Sequence, residues 1–115
     1  MTTYKTLASP ISAKLKTFRT DIPETMKGFS QMAGATHQDG ALTSKQKELM
    51  AMAIAIAMRC QGCLAFHAQA CRKMAVTQEE FNEMLQVAIY MGGGPSVMTA
   101  AEAQIAFDEF APASS

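Results

Sequence analysis

An unbroken apolar run, Leu49 to Met58 (LMAMAIAIAM), is the strongest constraint on how this chain can fold. Just before it, Thr43-Ser44-Lys45-Gln46 has the spacing of a capping box, in which Thr43 and Gln46 satisfy each other's free backbone amides. The run is therefore predicted to be helical, and a helix that is apolar on every face must be surrounded by protein. It is too short to cross a bilayer, which takes about 20 apolar residues. We expect it to be the central element, with Ala51, Ala53, Ala55 and Ala57 allowing neighbouring helices to approach closely.

No segment alternates β-branched and polar residues with period two, so no strand is predicted. The chain reads as an all-α fold of about five to six helices. Ser9-Pro10 is predicted to cap and open a short helix to about Phe18. Asp21-Ile22-Pro23 opens a second helix in the same way, with Gly34 placed to end it and a polar loop over 35–42. Thr77-Gln78-Glu79-Glu80 is another capping box, followed by one apolar stripe of Phe81, Met84, Leu85, Ala88 and Ile89. Gly92-Gly93-Gly94-Pro95 stops that helix and starts a last one over roughly 95–109. The triple glycine lacks the lysine and the preceding strand of a phosphate loop, so it reads as a tight helix–helix corner. The whole chain, 1–115, is expected to form one domain with its core over about 20–109 and a frayed tail at 111–115.

Ten basic and ten acidic residues balance, and Lys14, Lys16 and Arg19 make only a weak basic cluster, which argues against nucleic-acid binding. The N-terminal residues lack the apolar core of a signal peptide, so a cytoplasmic protein without a membrane segment is expected. Ten methionines fit irregular gaps between helices, or a pliable pocket or subunit interface. Three closely spaced cysteines do not make a secreted disulfide framework; a Cys-x-x-Cys pair in a reducing compartment points to redox or metal chemistry.

That pair lies in RCQGCLAFH, residues 59–67. With Cys60 at zero on a helical wheel, Cys63 falls near 300°, His67 near 340° and Cys71 near 20°, at about 100° per residue. Cys63 and His67 are four residues apart and can touch. A thiolate of Cys60 at a helix start would be favoured by the backbone amides and the helix dipole. A zinc site is the rival, but four ligands strung along one helix would span about 16 Å, against metal–ligand bonds of about 2.3 Å. Glu48 lies about 18 Å from Cys60 along a straight helix. If the chain instead reverses near Met58–Arg59 as an antiparallel hairpin, Glu48 comes level with His67; otherwise a neighbouring subunit would have to deliver it. Taken singly, Glu48 reads as a solvated residue near a helix start, Cys71 as a small buried residue, and His37 as a surface histidine with no acidic partner.

Glu48-x11-Cys60-x2-Cys63-x3-His67, with the LTSKQKEL lead-in and the YMGGGP corner, resembles the signature of the AhpD-like alkylhydroperoxidases of the carboxymuconolactone decarboxylase superfamily. The resemblance implies an all-α fold with a central antiparallel helical hairpin and a homo-oligomer, commonly a trimer or a hexamer. It also implies thiol peroxidase or disulfide reductase activity with no bound cofactor and no metal. Cys60 and Cys63 would be the redox pair, with Cys63 attacking the peroxide, and Glu48 and His67 the proton relay. An external dithiol would restore the pair. Some members carry a second histidine directly before the second cysteine, where this chain has Gly62. Lactone decarboxylation and a non-enzymatic redox-sensing oligomer are the alternatives.

Overall fold

The computed structural model describes residues 3–113, and those residues form six helices and no strand. They are α1 (Thr3–Asp21), α2 (Pro23–Thr36), α3 (Ser44–Met58), α4 (Gln61–Lys73), α5 (Gln78–Gly92) and α6 (Gly94–Glu109). Residues 114–115 of the expected tail lie outside the described part. The apolar run is α3, with the Thr43–Gln46 capping box formed in both directions. It packs against α4, α5 and α6, while α1 lies across α4 and α6.

α3 ends by reversing the chain. Arg59 takes the left-handed conformation (φ 54°), and its N–H and that of Cys60 donate back to Ile56 O and Ala55 O. This is a helix stop of the kind glycine usually provides. α4 begins directly behind it, so α3 and α4 form the antiparallel hairpin on which the placement of Glu48 depends.

Two expected boundaries are corrected. α1 begins at Thr3 rather than at Ser9, and Pro10 sits inside it. Its first turn is reached from the other end of the chain: Glu109 Oε1 accepts from the backbone N–H of Tyr4 (2.8 Å) and of Lys5 (3.1 Å). Tyr4 is buried, and its phenol is pushed up to about 12 by burial first and by Glu102 next. Gly34 does not end α2, which continues to Thr36 and stops at His37, whose N–H donates to Ala33 O. A glycine ends a helix only where the backbone turns left-handed, and here it stays helical.

The third correction concerns α3 itself. Met52, Ala55 and Ile56 are buried, but Met50, Ile54 and Met58, at four-residue spacing, are 46, 59 and 74% exposed. Within one chain the apolar helix keeps an uncovered stripe. α2 buries no residue and packs on α1 alone, leaving Phe29 and Met32 exposed.

At the far end of the core, Phe81 of α5 stacks on Phe107 of α6 with centroids 4.1 Å apart. The Arg72 guanidinium lies 3.4 Å above the Phe107 ring, and its Nε donates to Phe107 O. Phe81, Met84 and Ala88 are buried as predicted, while Leu85 and Ile89 are half-buried.

The glycine corner divides its work among its residues. A side chain at Gly92 would collide with buried Ser96. Gly93 has φ +69° and ψ −150°, a region essentially closed to other residues. Gly94 has open space around it. Gly93→Ala is expected to destabilise the fold by about 1–3 kcal/mol in urea unfolding. Gly94→Ala should fall within about 0.5 kcal/mol of the parent.

Candidate functional site

The hairpin turn builds the site. Cys60 is the N-cap of α4, and its sulfur accepts from the Cys63 backbone N–H at 3.2 Å. Cys60 and Cys63 are joined as a disulfide, with Cα atoms 5.1 Å apart. The sulfur of Cys60 therefore occupies the place where a helix start most favours negative charge. Both cysteines are half-buried at the surface of the bundle. Gly62, between them, faces Ile11 of α1, which would lie 3.2 Å from any added Cβ. A side chain there would need the end of Ile11 to give by a few tenths of an ångström.

One turn beyond Cys63, His67 meets α3, the opposite helix of the hairpin. Its Nδ1 lies 2.5 Å from Glu48 Oε1. Glu48 is 2% exposed, so the reading of a solvated acid at a helix start does not hold. The carboxylate comes from the same chain, and no second subunit is needed to deliver it. Nδ1 is the ring nitrogen engaged by the carboxylate, and His67 stands four residues, one helical turn, after Cys63.

His37 lies at the surface as expected, 42% exposed, but the expectation that it lacks an acidic partner is overturned. It stands at the C-terminal cap of α2 with Nδ1 3.9 Å from Glu48 Oε2, so it does have an acidic partner. The 37–43 loop is tied down onto the start of α3. Ser44 Oγ donates to His37 O, Ser44 N to Asp39 Oδ1, and Lys47 Nζ to Gln38 O. Hydrogen bonding from Ser44, from its backbone N–H above all, holds the Asp39 carboxyl below the usual range. A signal was available in the sequence: a carboxylate heading an all-apolar run needs cationic or donor partners. The chain has only two histidines.

Cys71, one turn past His67, is fully buried. Burial first, and then the negative charge of Glu48, push its thiol up to about 12, against a smaller opposing effect of Arg72. It is held as an unreactive thiol. Among the described residues, no group of three or more His, Cys, Asp or Glu side chains is arranged to hold a metal ion. No described helix is long and apolar enough to cross a membrane.

Two grooves flank the hairpin. One is lined by Tyr4, Leu7, Pro10, Gln61 and Glu102, with Gln61 Nε2 donating to Glu102 Oε1. The other, between α3 and α5, is lined by Leu49, Met50, Ala53, Met84 and Val87 and has acidic Glu80 and Glu83 at its edge.

Together these features define an all-helical protein with a Cys-x-x-Cys pair at the turn of its central hairpin and, one turn away, a buried carboxylate paired with a half-buried imidazole. The family profile of the carboxymuconolactone decarboxylase family matches residues 23–106, and the chain belongs to that family. The chain is similar to apo-lpg0406, a carboxymuconolactone decarboxylase family protein of Legionella pneumophila with a crystal structure. The two are 48% identical with a TM-score of 0.96, over 97% of this chain and all of the other. It is 35% identical to an uncharacterized protein of Cupriavidus necator over 93% of this chain and 95% of the relative. An uncharacterized protein of the cox locus of Paracoccus denitrificans is 31% identical over 70% of this chain and 73% of its own.

Proposed function

We propose that the protein is a thiol-dependent hydroperoxide reductase. The observation that carries this reading is the Cys60–Cys63 disulfide with the Glu48–His67 pair one turn further along the same helix. In the reduced protein, His67 Nε2 takes the proton of Cys63, and Glu48 Oε1 holds the imidazole through Nδ1. The Cys63 thiolate attacks the peroxide. The O–O bond breaks, the sulfur becomes a sulfenic acid, and the departing alkoxide takes a proton and leaves as an alcohol. Cys60, favoured as a thiolate by the Cys63 N–H, then attacks the Cys63 sulfur, and hydroxide leaves as water once protonated. The net change is two thiols and one hydroperoxide to one disulfide, one alcohol and one water. An external dithiol restores the pair by exchange, and no cofactor enters the cycle. Such cycling belongs in a reducing compartment such as the cytoplasm.

The uncovered stripe of Met50, Ile54 and Met58, with the exposed Phe29 and Met32 of α2, supports a homo-oligomer, a trimer or a hexamer, in which another copy covers these apolar residues.

The reading is tested by consumption of an organic hydroperoxide in the presence of a dithiol reductant. Turnover that needs the dithiol and stops when it is withheld supports the proposal. Absence of turnover, together with decarboxylation of a carboxymuconolactone, would favour lactone chemistry, which has no need of two thiols.

A further inference from the structure

The Glu48–His67 pair accounts for one carboxylate oxygen of Glu48; the other faces His37. Glu48 is almost fully enclosed, whereas His37 is 42% exposed, so His37 stands between the carboxylate and the solvent. Its Nδ1 lies 3.9 Å from Oε2, an ion-pair distance longer than a hydrogen bond, and one that a small ring movement or a bridging water closes. The position is constructed, because the loop that carries His37 is fastened to the first turn of α3 through His37 O, Gln38 O and Asp39. The other titratable or charged groups around this pair are His67 and Cys71 on α4, Lys47 on α3 and Asp39 in the same loop. Cys71 is held as a neutral thiol. Lys47 and Asp39 are engaged with the loop backbone and the start of α3. Of these groups, His37 and His67 are the two ion-paired with Glu48.

We propose that His37 is a positioning residue that acts through Glu48. It balances the buried carboxylate on its solvent side and exchanges with bulk water the proton that Glu48 and His67 take from the thiols. The proposal rests on the reading of Glu48–His67 as the proton relay of the dithiol. The chemistry is proton transfer alone. The proton removed from Cys63 at His67 is matched by release of His67 Nδ1–H to Glu48 Oε1, and from Oε2 it passes by way of His37 to water.

The test uses the full chain with His37→Gln and His37→Asn, both of which retain a polar side chain at the helix cap. Two quantities are read against pH, with and without added imidazole: hydroperoxide turnover with a dithiol, and the alkylation rate of Cys63 in the reduced protein by iodoacetamide. The proposal expects turnover to fall about three- to tenfold and the Cys63 alkylation profile to move to higher pH. It further expects imidazole in the buffer to restore much of the turnover. An alkylation profile that superimposes on that of the parent overturns it. A loss of turnover that is equal at every pH and unmoved by imidazole also overturns it, since that is what a purely structural role would give. If the parent chain consumes no hydroperoxide, the peroxidase reading fails, and the alkylation profiles still decide the role of His37.

Discussion

Cys63→Ser is expected to bring hydroperoxide consumption down to the uncatalysed rate, a loss of at least about a thousandfold. A serine hydroxyl fills nearly the same space but gives no nucleophile that peroxide oxygen can oxidise, so the fold should persist while the chemistry stops. Cys60→Ser separates the two cysteines. Cys63 would still attack and become a sulfenic acid, but with no neighbouring thiolate to condense with it, one turnover should be followed by a stall. The cap that Cys60 provides to the Cys63 N–H would be retained by serine, a good N-cap residue. If Cys63→Ser retains turnover while Cys60→Ser loses it entirely, the two roles are reversed, and the N-cap sulfur is the attacking one.

Glu48→Gln carries the second large effect. The amide oxygen of glutamine can still accept from His67 Nδ1, and the side chain fills the same buried volume. What is lost is the charge that makes the imidazole a better base and the capacity to carry a proton. Turnover is expected to fall about a hundredfold, within the usual range for a general acid–base contribution, while thermal unfolding shifts by only a few degrees. Unchanged turnover in Glu48→Gln would remove the relay and leave the dithiol standing alone. A collapse of the fold would show instead that the Glu48–His67 contact is structural.

Much of the site was legible in the chain because its parts answer to local rules. Capping boxes at Thr43 and Thr77 mark two helix starts through short-range hydrogen bonds, and both are formed as read. The hairpin was one of two ways to bring Glu48 level with His67, the other being a neighbouring subunit, and the reversal at Arg59 decides between them. What was not legible depends on distant partners. The first turn of α1 bonds to Glu109, more than a hundred residues away, a contact that local capping at Ser9 does not reveal. His37 reaches Glu48 only because Ser44 and Lys47 draw the loop back over α3. The all-apolar pattern of α3 led to an expectation of enclosure, but it cannot distinguish the positions that the chain covers from those it leaves exposed. The exposed Met50, Ile54 and Met58 are where that distinction appears.

The most direct test of the dithiol cycle is a thiol count. The fully reduced protein is treated with one equivalent of an organic hydroperoxide, quenched by alkylation under denaturing conditions, and mapped by mass spectrometry. The account predicts that three free thiols become one, that the remaining thiol is the buried Cys71, and that the new bond joins Cys60 to Cys63. Three thiols surviving the peroxide, or a disulfide that includes Cys71, would contradict it.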